Sequence, residues 1–405
     1  MSLGIVLVCL HQEQSLVRVC RVLTVAGSFL VAAMLMQVDT ARRDYLLLPA
    51  VSMITGCGII FLWRLNPELA SRQVVWVLMG AALMVITYYL LDDVRDLARY
   101  KYTAGVGAVV LMAATMIWGQ EKGGARLWLE IPGILSFQPG EFAKVLVCVF
   151  LAGYVAEKGE IIRSYSRDPS FGASLALRHM GPLLLLVVFS LAIFVLLRDL
   201  GAAMLFFGLF VAVSYLATNR KRYAALMTVL FAAGAVGAYY YFPHVGRRME
   251  AWLHPYADPY GAGHQILQAL FGLAAGGLSG VGFGMGFPDN LPAAETDMIL
   301  AVIGEEAGLL GSVGLMLLFV AVCYRTFAIG WQSRDSFGAL LATTLGMVFA
   351  LQTLVIAGGI LRLIPLTGIT LPFVSYGGSS IVVNFIALSL VLAVSRDCML
   401  KPRDG

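Results

Sequence analysis

The chain carries little charge. Asp, Glu, Lys and Arg make up 13% of its 405 residues, against 60% hydrophobic residues. A soluble chain of this length could not bury that much apolar surface. A single soluble domain is therefore excluded. The mean hydropathy of +0.84 points to a polytopic helical membrane protein. Metal and disulfide patterns are missing too. The six cysteines (Cys9, Cys20, Cys57, Cys148, Cys323 and Cys398) fall in or beside apolar runs, and none makes a CxxC pair. They read as small core residues, not as a disulfide frame or zinc site. The five histidines, His11, His179, His244, His254 and His264, show no metal-ligand spacing. No basic run interleaves with aromatics, so nucleic-acid binding is set aside. The net charge of +4 follows from the excess of Lys and Arg that membrane proteins keep on the cytoplasmic side. Residues 1–10 are apolar but lack a basic leader region and a small-residue cleavage site, which argues against a removed signal peptide.

What the chain does have is long apolar runs and 43 glycines, the small residues that let membrane helices pack closely. Segments near the ~20 residues needed to cross a bilayer stand at 22–38, 45–63, 74–91, 103–118, 142–156, 182–197, 201–217, 223–242, 298–324, 339–358 and 379–395. The expected fold is all-α. It has about ten core transmembrane helices and an extra one in an N-terminal extension, residues 1–40. Residues 41–405 form a single transmembrane domain, with a large extracytoplasmic loop, 243–297, between the seventh and eighth core helices.

Lys and Arg set the orientation. With Arg42 and Arg43 inside, Arg95, Arg99, Lys101, Lys158, Arg163, Arg167, Arg178, Arg220, Lys221, Arg222, Arg325, Arg334, Arg396, Lys401 and Arg403 also fall inside. Arg18 and Arg21 fit this assignment badly. The outer side holds fewer cations, concentrated in four segments: 119–141, the 198–200 turn, 243–297 and 359–378. These are expected to face one another. Within the long loop, QILQALFGL (265–273) has a helical pattern, expected on the membrane surface or inside an outer vestibule. The glycine-rich stretch that follows (Gly276, Gly277, Gly280, Gly282, Gly284, Gly286) has no preceding strand and no Lys-Ser/Thr pair. It reads as a flexible hinge sooner than a phosphate cradle.

Residues 291–306, LPAAETDMILAVIGEE, place Glu295, Asp297, Glu305 and Glu306 at the entrance to an apolar helix. Charge at mid-bilayer costs roughly 2.5–3.5 kcal/mol on insertion scales. The cluster therefore marks either a site or headgroup-level charges at a helix start.

Several motifs together resemble the SEDS proteins, the RodA/FtsW family of shape, elongation, division and sporulation. GARLWL (124–129) with QPGEFAK (138–144) is similar to its first outer-loop signature. DLG (199–201), GAGHQ (261–265) with the glycine-rich stretch, and TD (296–297) with AVIGEE (301–306) follow in family order. PLTGITLPFVSYGGS (365–379) resembles its last outer loop. The likeness covers about residues 45–396. Three positions depart from the family pattern: Gly140 where serine is frequent, Glu295 where histidine is frequent, and Leu197-Arg198 where glutamine-proline is common. The carboxylate of Glu295, two residues from Asp297, is expected to raise the Asp297 pKa or to help bind a metal.

The resemblance implies a peptidoglycan glycosyltransferase that polymerises lipid II at the outer face of the bacterial cytoplasmic (inner) membrane, working with a class B penicillin-binding protein. It places the catalytic base on Asp297. The reaction also needs cations for the departing pyrophosphate, and Arg126, Lys144, Arg198 and Arg248 are the candidates. Each could instead be an interfacial anchor, and Lys144 could pair with Glu141 one turn away. Asp199 could meet a vestibule cation or cap the next helix. Gln265 could bind sugar hydroxyls or backbone. Glu305 is expected to bind a cation or serve structure. Ser375 and Ser379 offer hydroxyls, with turn chemistry as the alternative. Mg²⁺ or Mn²⁺ beside the pyrophosphate is a further expectation. A lipid II flippase and a non-catalytic scaffold are the rival classes. The short tail after Arg396 leans toward an elongation role.

Overall fold

The computed structural model describes residues 44, 46–122, 125–131, 135–167 and 173–400. The extra helix expected at 22–38 lies outside these residues, as do Arg42, Arg43, Gly124, Lys401 and Arg403. The side chains of Arg163, Arg167, Arg178, His179 and Cys398 also lie outside the description.

The helices that follow are α1 (Leu47–Leu65), α2 (Pro67–Leu90), the short α3 (Asp96–Arg99), α4 (Lys101–Trp118), α5 (Pro139–Arg167), α6 (Ala173–Leu196), α7 (Leu200–Thr218) and α8 (Lys221–Tyr241). The long loop then holds α9 (Pro243–Leu253) and α10 (His264–Gly276). The chain closes with α11 (Ile299–Gln332), α12 (Ser336–Ile360) and α13 (Gly378–Leu400). Among the described residues, eight helices are long and apolar enough to cross a membrane. The expected ten core segments are all helical: α5 carries more charge than the other eight, and the apolar part of α6, Gly181–Leu196, is shorter.

Local sequence explains the boundaries. Asn66 stops α1 and caps α2, its side chain accepting from Glu68 N and Leu69 N, with Pro67 at the first helical position. Asp335 caps α12 by accepting from Gly338 N at 2.9 Å. The core centres on α13, which packs on α2, α5 and α12; 94% of its apolar window is buried. The opposite case is α8, which contributes no buried residue. It leans on α7 through the stacked rings of Phe207 and Phe231, 3.7 Å apart.

Among the described residues, strand structure is confined to a small antiparallel sheet in the 119–137 segment: β1 (Gln120–Lys122), β2 (Ala125–Ile131) and β3 (Leu135–Phe137), in the order β1-β2-β3. Alternating polar and apolar residues in ARLWLEI suit a short half-exposed strand.

Charges sort to the two ends of the bundle. At one end Arg325 meets Asp44 at 2.7 Å, Arg95 meets Asp335 at 3.4 Å, and Asp397 accepts from Val94 N at 3.0 Å. At the other end the four loop segments meet. Gln138 N donates to Ser379 Oγ, Glu121 faces Arg198, Arg248 reaches the Thr367 carbonyl, and Tyr376 N donates to the Glu295 carbonyl.

The longest helix, α11, is not continuous. Gly308, with φ +67°, breaks α11 into a short first half, residues 299–307, and a long second half. The glycine-rich stretch wraps this break. Val281 N donates to the Glu305 carbonyl and Gly282 N to the Glu306 carbonyl. Leu309 N and Leu310 N donate to the Gly277 and Leu278 carbonyls. Backbone groups freed inside a membrane must find partners, and here the neighbouring segment supplies them. A Cβ on Gly280 (φ +82°) would lie 2.1 Å from the Glu306 carbonyl oxygen. The stretch is therefore a fitted splice and not the hinge expected from its composition.

Candidate functional site

Asp297 is set by a tight turn just ahead of α11. Ala293 takes a left-handed conformation (φ +57°), and its carbonyl accepts from Thr296 N and Met298 N. A non-glycine residue in that region is strained, and such strain clusters at functional sites. Arg198, Arg362 and Phe373, also at positive φ, lie in the same group of loops.

The Asp297 carboxylate is partly buried. One oxygen accepts from Thr296 Oγ1 at 3.0 Å and the other from Gln265 Nε2 at 3.4 Å. Burial pushes its pKa above the ordinary aspartate value. The hydrogen bonds from Thr296 and Gln265 and the charge of Arg248 pull back. Gln265, on α10, also donates to the Pro292 carbonyl at 3.4 Å. The last outer loop also approaches: a Cβ on Gly368 would sit 3.9 Å from Asp297 Oδ2, the oxygen that Gln265 meets.

Gly368 also lines a cleft that runs between α5, α7 and α12. Its polar wall is Glu141, Lys144, Asp199 and Gln352. Lys144 is buried at the cleft wall, with its ammonium 2.6 Å from Glu141 and donating to Gln352 Oε1 at 3.2 Å. Of the two readings of Asp199, the structure shows the helix cap. It caps α7 by accepting from Ala202 N at 2.9 Å, and it feels the charges of Arg248, Glu141 and Lys144. Burial raises its pKa to about 6. Arg248 is the cation common to Asp199 and Asp297. Its guanidinium is held by the carbonyls of Thr367 at 3.1 Å and Leu366 at 3.4 Å.

The remaining sequence candidates stand further out. Arg126 on β2 and Arg198 on the α6–α7 turn both approach Glu121, at 3.8 and 3.9 Å, and both are exposed. Glu305 accepts from Phe287 N at 3.0 Å and lines a separate pocket with Phe271 and Leu291 between α10 and the first half of α11. Ser375 donates to the Thr296 carbonyl and accepts from Leu371 N; Ser379 accepts from Gln138 N. Both hydroxyls hold backbone in place. Glu306 is fully buried and faces Arg64 at 3.4 Å, while its other oxygen accepts from Gly284 N.

For Mg²⁺ or Mn²⁺ the donor set is thin. Among the described residues no three His, Cys, Asp or Glu side chains gather, and each Asp297 oxygen already accepts a hydrogen bond. Two residues escaped the sequence analysis. Gln352 stands mid-helix in an apolar run, and only its polarity there could have marked it. His244 shares a short helix with Arg247 and Arg248, and the spacing of the three was the available signal.

Comparison with known proteins fits this arrangement. The family model for FtsW, RodA and SpoVE, described as cell cycle protein, matches residues 21–399. Peptidoglycan glycosyltransferase RodA of Mycobacterium tuberculosis is 39% identical over 380 residues, covering 89% of this chain and 80% of that protein. Stage V sporulation protein E of Bacillus subtilis is 33% identical over 283 residues, covering 69% of this chain and 73% of that protein. Among solved structures, a chain from work on polymerization and crosslinking by a peptidoglycan synthase complex superposes with TM-score 0.72 and 28% identity. It covers 89% of this chain and 100% of the other. The Thermus thermophilus rod shape determining protein RodA gives TM-score 0.65 and 26% identity, with 90% and 100% covered. The chain belongs to the FtsW/RodA/SpoVE family of cell cycle proteins.

Proposed function

We propose that this protein is a peptidoglycan glycosyltransferase that polymerises lipid II at the outer face of the bacterial cytoplasmic membrane. The relatives that carry that activity in their names support the class of reaction. The observation that carries the assignment of roles is the placing of Asp297 against Gln265, Thr296 and Gly368, beside a cleft holding Lys144 and Asp199.

In the reaction a sugar 4-hydroxyl attacks the anomeric carbon of a second lipid-linked sugar. The new C–O bond forms as the bond to the diphosphate oxygen breaks, and the electron pair leaves with the diphosphate. Asp297 accepts the hydroxyl proton. The transition state is oxocarbenium-like, so that proton leaves late and a carboxylate suffices as base. Partial burial raises its basicity toward the task. Gln265 orients the carboxylate and presents its amide to a sugar. Arg248, Lys144, Arg198 and Arg126 supply the positive field for the diphosphate, and Arg248 acts on both Asp297 and Asp199.

A class B penicillin-binding protein is the partner that fits, because the solved neighbour comes from a synthase complex that couples polymerization to crosslinking. The test is direct. The purified protein and its partner are given labelled lipid II and the products are run on a gel. A ladder of glycan chains from wild type, absent with Asp297→Ala, is expected. Normal polymer from Asp297→Ala would reject the base. Passage of intact lipid II across vesicles without polymer would turn the assignment to a flippase.

A further inference from the structure

One imidazole at the start of α9 lies in the electrostatic field of three arginines. His244 is followed on α9 by Arg247 and Arg248, three and four residues on, the spacings that share a helix face. Arg198, on the α6–α7 turn, acts on the same ring together with Arg248 and Arg247. The ring lies 5.7 Å from that of Phe242. Its Nε2 is buried and meets no hydrogen-bond partner among the described residues. A buried nitrogen left without a partner is unfavourable, so once Nε2 carries a proton an acceptor brought to it is favoured. Phe242, at the N-cap, offers no side-chain cap, but its carbonyl accepts from Val245 N and Gly246 N, so the positive charge beside the imidazole comes from the arginines and not from the helix end. Arg248 ties this group to the candidate site, because it also acts on Asp199 and Asp297.

We propose that His244, Arg198, Arg247 and Arg248 bind the diphosphate of the lipid-linked substrate, and that His244 takes up a proton as the anion arrives. This rests on the glycosyltransferase reading and adds to it a residue that neither motif nor name assigns. The chemistry is that of a switch. With the site empty, burial and the three arginines hold the imidazole below its ordinary pKa, so it is neutral. A diphosphate cancels the arginine charge and accepts from Nε2. Both effects favour the imidazolium. When the lipid diphosphate departs, the arginines again face the ring and the proton returns to solvent. One proton thus enters and leaves with the diphosphate each cycle, separate from the one Asp297 removes.

The sign follows from linkage. The pKa is low when empty and raised when occupied, so affinity is flat below both values and falls as pH rises through the interval between them. The probe is a short polyprenyl diphosphate, titrated against the full-length protein in phosphatidylcholine nanodiscs. From pH 6 to pH 8 wild-type affinity is expected to fall about tenfold more than that of His244→Gln. At pH 8 the variant should bind about as wild type does. The probe's terminal phosphate and Asp199 titrate in the same range, but both are common to the two proteins and cancel in the comparison. Arg247→Ala should weaken binding several-fold. His244→Asn replaces His244→Gln if the latter does not fold. An identical pH slope in wild type and the His244 variant overturns the proposal. So does displacement of the probe by an equal concentration of phosphatidylglycerol, which would make the site a general anionic-lipid contact. Wild-type polymerisation of lipid II tests the underlying reading separately. Its failure would reject the enzyme, while the probe titration would still decide His244.

Discussion

Ser375 donates its hydroxyl to the carbonyl of Thr296, the residue immediately before Asp297. Next to it, Tyr376 N donates to the carbonyl of Glu295 at 2.8 Å. The last outer loop therefore holds the segment that presents the proposed base, although it contributes no carboxylate of its own. Ser375→Ala removes the side-chain tie and leaves Leu371 N without its acceptor. We expect polymer yield to drop about tenfold, the cost of one buried hydrogen bond and a small displacement, with the protein still inserted. The gel assay alongside membrane quantification reads this. Full activity in Ser375→Ala would mean that Tyr376 alone suffices.

The pH dependence of chemistry depends on Asp297. Its pKa stands above the ordinary aspartate value because of burial. A base must be ionised to act, so turnover is lost as pH falls through that raised value, at a higher pH than a free aspartate would give. Gln265→Ala removes one hydrogen bond to the carboxylate and shifts the acid limb further up. Rates of single-turnover polymerisation across pH measure it, and a limb unmoved by Gln265→Ala would remove Gln265 from that role.

Asp199 offers a stability test. Its pKa is about 6 when folded and near the ordinary aspartate value when unfolded. The folded state thus binds more protons between those values, and stability falls as pH rises across that interval. Asp199→Asn keeps an acceptor for Ala202 N and removes the buried charge. At pH 8 it should melt higher than wild type, by roughly 1–3 kcal/mol, and at pH 4 no higher. Thermal unfolding in nanodiscs at the two pH values decides.

Arg64 and Glu306 should behave as one unit. Removing either leaves a charge at the α11 break without its partner, at a cost of about 3–5 kcal/mol. Arg64 also loses its hold on the Gly284 and Gly286 carbonyls. Replacing both, Arg64→Met with Glu306→Leu, should cost less than the sum of Arg64→Met and Glu306→Leu alone. Additive losses in a double-mutant cycle would show the two to be uncoupled.

Much of this was legible from residues alone. The apolar runs located the long helices because crossing a bilayer fixes a minimum length. The cation count in the loops brought 119–141, 243–297 and 359–378 to one end. What hydropathy does not carry is where a helix breaks. Gly308 lies in an apolar run like any small residue of a membrane helix, and its left-handed φ depends on Leu278 and Gly280 packed against it. The same contacts turned a presumed hinge into a splice. The β1–β3 sheet was hidden by its short strands. Lys144 was read two ways, as a phosphate ligand or as the partner of Glu141, and only coordinates place it in a cleft with Gln352, far away in sequence. His244 was passed over because a single histidine outside any metal pattern carries no signal until its neighbours are counted.

The splice at Gly308 has a mechanical side. A rod running unbroken from Met298 to Gln332 would act as a lever, delivering every tilt of its membrane portion to the residue at its tip. Here the axis is broken at Gly308, and the short arm is bolted to α10 and α1 instead. The direction of the membrane portion is therefore not handed straight to its tip, and Asp297 takes its aim from Gln265 and the last outer loop.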